Sequence, residues 1–137
     1  MEQLKQNNRV DWGEQYKIRP RRNASSKHEV IKILLVRALI EKYKGQSSWV
    51  RIYTEYPIKN KDNETKITDV YYENVKTNEI VCYEIQKTIT PKWIEETTDF
   101  YKQVDRYFFT TDWQLIKEND LEDDITKLNK QIKELIL

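Results

Sequence analysis

The stretch 67–86, ITDVYYENVKTNEIVCYEIQ, decides how the rest of the chain is read. Two runs rich in β-branched and aromatic residues flank a short polar segment, Lys76-Thr77-Asn78, which is the pattern of a β-hairpin. In an antiparallel pair, residues directly opposite one another keep a constant sum of residue numbers. A turn centred between Lys76 and Thr77 therefore sets Asp69 opposite Glu84, with Cβ atoms roughly 5 Å apart. Like charges facing each other weaken a sheet, so the pair asks for a positive charge between them. Glu84 and Gln86 share a strand face by alternation, and Asp69 is expected to look to the same side.

Outward from the hairpin, the chain reads as αβββαβα. Ser26 and Glu29 have the spacing of a capping box, and Val30, Ile31, Leu34, Leu35, Ala38 and Leu39 give the following helix an apolar face, with Gly45 as its stop. Residues 49–58 read as a strand ended by Pro57 and a polar stretch, and the hairpin follows over 66–87. Thr90 before Pro91 opens a second helix expected to run to about Phe108. Residues 113–117 form a last strand, and Asp120 caps a final helix to Leu137. In that helix Leu121, Ile125, Leu128, Ile132 and Leu135 make a narrow apolar seam, suited to packing on the sheet or to zipping against a second copy. Strands mixed with helices in one short chain imply an α/β fold, a mixed sheet with helices packed on it.

A chain of 137 residues, 38% apolar and 34% charged, suits a single domain, expected over 25–137 with a basic arm at 1–24. No run is long enough for a membrane span and no signal peptide is visible, so a soluble, intracellular protein is expected. The single Cys82 excludes an internal disulfide and a cysteine-based zinc site, and is expected in the core, as are Tyr53, Tyr83, Trp49 and Trp93. The net charge is only +1, but residues 1–28 carry seven Lys and Arg against three acids. Arg19, Arg21 and Arg22 lie at the end of this arm and suit the tracking of phosphates.

The chemistry concentrates on Asp69, Glu84 and Gln86. Two carboxylates with a backbone carbonyl and water make a reasonable Mg²⁺ or Mn²⁺ site, and water bound to such an ion can attack a phosphodiester. Taken singly, Asp69 also fits a strand-end turn and Glu84 a pair with Lys66 or Lys87. Glu29 is accounted for by the capping box, and His28 is expected to face solvent.

The element order, Asp69, the Glu84-Ile85-Gln86 triplet and Glu29 on the first helix resemble the PD-(D/E)xK nuclease superfamily over about residues 26–118. The resemblance implies a restriction-endonuclease-like αβββαβ core around a mixed four-stranded sheet, here with an added C-terminal helix. It implies a divalent-metal-dependent nuclease acting on DNA, with Asp69, Glu84, Glu29 and the carbonyl of Ile85 as metal ligands. Gln103 and Tyr107, four apart on the second helix, resemble the QxxxY pair of the RecB-type branch, which helps hold the DNA strand. The small size resembles archaeal Holliday-junction resolvases, which work as dimers. The family's usual lysine is replaced by Gln86, with Lys87 one step on, and Thr68 stands where the Pro would be. That departure leaves a second reading, a nuclease fold that only binds DNA or a protein partner.

Overall fold

In a computed structural model, which describes residues 15–21, 23–106 and 108–137, the hairpin forms in the expected register. Strand β3 (Thr65–Asn74) runs antiparallel to β4 (Glu79–Gln86), with Val70 opposite Tyr83 and Tyr71 opposite Cys82. Asn74 Oδ1 accepts the N–H groups of Lys76 (2.9 Å) and Thr77 (3.2 Å), a side chain folding the turn around itself. Asn78 closes the turn at φ 60°, a left-handed conformation that Asn tolerates.

Strand β2 (Val50–Lys59) pairs antiparallel with β3, and β5 (Thr110–Lys117) lies parallel to β4 after a crossover through helix α2 (Pro91–Lys102). The sheet has five strands rather than four, because Tyr16–Lys17 form a short β1 parallel to Ile52 and Tyr53. Two residues show no period to read in a sequence, so part of the expected arm is sheet. β1 covers β2 only there, which leaves the N–H-less Pro57 on an open edge.

Helices α1 (Ser26–Lys42) and α3 (Ile125–Leu135) cover one face, and α2 covers the other. Ile31, Leu35 and Leu39 of α1 pack with Ile52, Val70 and Ile85 of the sheet, and Leu128 and Ile132 of α3 join them. Tyr53, Tyr56, Tyr71, Cys82 and Tyr101 build the second core. Trp49 departs from its expected burial: it is exposed, with the Lys76 ammonium 5.7 Å above its ring.

Three helix boundaries shift, each through an identifiable contact or turn, and β5 starts at Thr110, before the expected 113. The cap of α1 is Ser25, not Ser26: its hydroxyl accepts the His28 N–H (3.0 Å) and donates to the buried Glu118 (2.7 Å). Helix α2 ends at Lys102 because the Gln103 carbonyl goes to the Lys61 N–H (2.7 Å) and is lost to the helix ladder. Helix α3 starts late, at Ile125 capped by Asp124, because residues 118–120 form a short 3₁₀ turn around Glu118. Among the described residues no helix is long and apolar enough to cross a membrane.

Part of the α3 seam is spent within the chain: Leu128 is buried, whereas Leu135 is 50% exposed. Ile132 is fully buried, whereas Ile125 is 59% exposed. Ile132→Ala is expected to cost about 2–5 kcal/mol of stability in urea unfolding, and Ile125→Ala within about 0.5 kcal/mol. Equal losses at the two positions, with a dependence on protein concentration, would mean that the other side of α3 is also buried, against a second copy.

Candidate functional site

The backbone pairing fails in one place, and the charged residues collect there. Between the pairs Thr54–Val70 and Tyr56–Thr68 the β2–β3 ladder skips Glu55 and Asp69. Glu55 sits at φ 51°, and Tyr53 and Tyr56, three residues apart, enter the same tyrosine cluster. Strict alternation forbids that, so β2 kinks at Glu55, with the pairing register the same on both sides. The β3–β4 ladder also stops at Val70–Tyr83, which leaves Asp69 and Glu84 as the next opposed pair. Asp69 Oδ2 accepts the Ile85 N–H at 2.7 Å, doing for that donor what a ladder carbonyl would otherwise do. Both carboxylates are buried, each only 2% exposed.

With Oδ2 fixed, Asp69 turns Oδ1 toward two cationic groups: His28 Nε2 at 3.3 Å and Arg21 Nη1 at 3.5 Å. His28 is buried, contrary to its expected exposure, because the cap at Ser25 points it from the first turn of α1 onto the sheet. Its Nδ1 lies 2.9 Å from Glu29 Oε2. Glu29 is not held by a capping box. It accepts the Arg21 N–H (2.9 Å) and the Lys32 ammonium (2.9 Å). Lys32, fully buried, also donates to the Arg19 carbonyl (2.8 Å) and to Glu55 (3.3 Å).

These contacts set the protonation. Burial alone pulls His28 down, but the bonds and charges of Asp69 and Glu29 outweigh it and raise its pKa. Burial pushes Glu29 up, and its bonds from Arg21, Lys32 and His28 overcome that and hold it low. Glu55 is raised by burial, against the pull of Lys32.

Asp69 and Glu84 take partners from different helices. Asp69 meets α1 through His28, whereas Glu84 Oε2 accepts a short hydrogen bond from Tyr101 of α2. Burial raises the Glu84 carboxyl to about 7, with Lys66 and the Tyr101 bond opposing and Asp69 assisting.

The other expected site residues are less gathered. Ile85 contributes its N–H to Asp69, and its side chain lies in the core. Among the described residues neither Gln86 nor Lys87 makes a hydrogen bond or ion pair with Asp69 or Glu84: Gln86 ends β4 opposite Lys117, and Lys87 lies exposed beyond it, its carbonyl accepting from Asn119. Gln103 caps α2 rather than continuing it, so it shares no helical face with residue 107. Tyr107 and Arg22 lie outside the described residues. Gln103 lines a cavity of 470 Å³ with Lys66 and Trp93, and also with Glu64, Glu96 and Asp99. Three carboxylates against one lysine make this a poor bed for phosphate. Arg19 and Arg21, by contrast, lie on the strap that crosses the carboxylate site.

His28, Lys32, Glu55 and Tyr101 were not read as site residues. One signal was present: Lys32 stands four residues after His28 and three after Glu29, inside the apolar run Val30–Val36.

Among the described residues no three His, Cys, Asp or Glu side chains converge as a ready-made metal set. Two donors do meet. His28 Nε2 is buried without a hydrogen bond, facing Asp69 Oδ1 at 3.3 Å. With Nδ1–H donated to Glu29, a neutral His28 would point a lone pair at a carboxylate oxygen, an arrangement that a proton or a metal ion resolves. Divalent ions such as Mg²⁺ are commonly held by one or two protein ligands and water, and the residues present fit that sparse mode. Comparisons with family models, curated proteins and solved structures find no match to this chain.

The raised Glu84 carboxyl has a signed consequence. The folded state holds its proton to about 7 and the unfolded state only to about 4.5, so stability falls as pH rises through that window. In buffer freed of divalent ions, Glu84→Gln is expected to flatten this part of the profile and to gain about 3 kcal/mol at pH 8 in urea unfolding. An unchanged slope would show that Glu84 ionises as an ordinary carboxylate.

Proposed function

We propose that this chain is a divalent-metal-dependent nuclease that hydrolyses DNA phosphodiester bonds. The observation that carries the reading is the state of Asp69: one oxygen fixed by the Ile85 N–H, the other buried and turned toward cationic groups. Support also comes from the order of elements, in which a helix bearing Glu29 precedes three antiparallel strands, and a helical crossover leads to a parallel fourth. This is the arrangement expected of a restriction-endonuclease-like core.

In this reading Asp69 Oδ1 and His28 Nε2 hold the ion, with Glu84 across the strand. An imidazole donor tilts the site from Mg²⁺ toward Mn²⁺. The ion supplies Lewis acidity to the phosphate and a bound water of lowered pKa. Glu29 orients His28 by accepting Nδ1–H, and Lys32 holds Glu29 and Glu55 in place. Glu84, half-protonated near neutral pH, is suited to take the proton of the attacking water. Water oxygen bonds to phosphorus, one P–O ester bond breaks, and the departing sugar oxygen takes a proton from solvent.

A second reading, a nuclease fold that only binds DNA or a protein partner, is favoured by one observation. The chain's own cations already neutralise Asp69, and neither Gln86 nor Lys87 reaches it.

The test is cleavage of labelled single-stranded, duplex and four-way-junction DNA with Mg²⁺ or Mn²⁺, for the wild type, Asp69→Asn and Glu84→Ala. Cleavage is expected with Mn²⁺, to vanish with EDTA, and to fall by about 100-fold or more in each variant. Mn²⁺ is also expected to raise the melting temperature of the wild type by mass action. DNA binding without cleavage of any substrate would establish the binding module instead.

A further inference from the structure

The groups around Asp69 divide by how much freedom they keep. Lys32 is fully buried and has three acceptors, Arg19 O, Glu29 and Glu55, so its ammonium is saturated. His28 is buried between Asp69 and Glu29. Arg21 differs from both. Its side chain is 51% exposed and touches Asp69 through a single nitrogen at 3.5 Å, at the outer limit of a hydrogen bond. A guanidinium carries five N–H donors in a planar fork that matches the oxygens of a phosphate.

The backbone beneath that side chain is tied firmly. Tyr16 and Lys17 pair with β2. The Arg19 carbonyl accepts from Lys32 (2.8 Å) and from the Thr54 hydroxyl (3.1 Å), and the Arg21 N–H is bonded to Glu29 (2.9 Å). A residue kept only for structure gains nothing from a rigid main chain and a loose, half-exposed charge. That combination suits a group aimed at a ligand which arrives from solvent.

We infer that Arg21 is a catalytic residue, the group that leaves Asp69 when a divalent ion binds and grips the scissile phosphate of the nucleic acid. This inference rests on the nuclease reading. In the ion-free protein Arg21 pairs with Asp69. With Asp69 engaged by the ion, the guanidinium turns to a non-bridging phosphate oxygen and stabilises the charge that builds there as water attacks. The strap 16–21 thereby delivers a cation that neither Gln86 nor Lys87 brings to the carboxylates.

The experiment uses the full chain with Arg21→Ala and Arg21→Lys, measuring Mn²⁺ affinity by calorimetry without DNA and cleavage of the wild type's preferred DNA. Arg21→Ala is expected to bind Mn²⁺ more tightly than the wild type, since a competing cation is gone. Its kcat is expected to fall about 100-fold with KM little changed, and millimolar guanidinium to restore part of the loss. Arg21→Lys should fall between the two. If the wild type cleaves and Arg21→Ala cleaves equally well, Arg21 is not catalytic and the nuclease reading stands. Loss of cleavage with weaker Mn²⁺ binding and no rescue by guanidinium would assign Arg21 a structural role and overturn the inference. If the wild type itself cuts no substrate, the nuclease reading fails and takes the inference with it.

Discussion

A buried ammonium must be surrounded by acceptors, and Lys32 finds its three on three separate segments: the strap at Arg19, helix α1 at Glu29 and the kink of β2 at Glu55. None of these acceptors is placed by local structure alone. The kink at Glu55 costs a ladder pair and a left-handed backbone, and Glu55 meets the ammonium there. The strap has only a two-residue strand to hold it, and the Lys32–Arg19 bond extends that hold toward Arg21. Glu29, drawn by Lys32, in turn receives His28 and the Arg21 N–H. The placing of Glu29, Glu55 and the strap beside Asp69 thus passes through one lysine.

The electrostatics follow from burial. Asp69, Glu84, Glu55 and Glu29 gather at the end of the β3–β4 ladder, and each cation there answers a buried or partly buried carboxylate. The carboxylates respond differently because their neighbours differ. Glu29 has three donors and is held low, whereas Glu84 has a tyrosine and more distant charge and rises to about 7. One carboxylate poised near neutrality beside Glu29, which is held ionised, is an arrangement suited to moving a proton.

The hairpin was legible because its information is local: β-branched runs, a polar turn and the alternation of faces fix which residues oppose. The order of the later elements was legible for the same reason, through Thr90-Pro91 and the apolar face of α1. What escaped depends on partners distant in sequence. His28 looked like a solvent-facing helix start because the cap was placed at Ser26, and the deciding bond is from Ser25 to Glu118, 93 residues away. The second helix looked longer because nothing in residues 103–108 shows that Lys61 takes the Gln103 carbonyl. Strand β1 and the kink at Glu55 have no pattern of their own. Asp69 and Glu84 are legible as a pair, yet the helix residues that meet them, His28 and Tyr101, are not, since each lies far from its carboxylate in sequence.

The account stands on a carboxylate at the end of that ladder that recruits a divalent ion. The most direct measurement is a titration of isotope-labelled protein with substoichiometric Mn²⁺, following the loss of amide and imidazole NMR signals by paramagnetic broadening. The account predicts that His28, Asp69 and Ile85 broaden first, with Glu84 close behind, while the acidic cavity around Glu96 and Asp99 is unaffected. Broadening that begins at Glu96 and Asp99, or spreads evenly over the surface carboxylates, would contradict it.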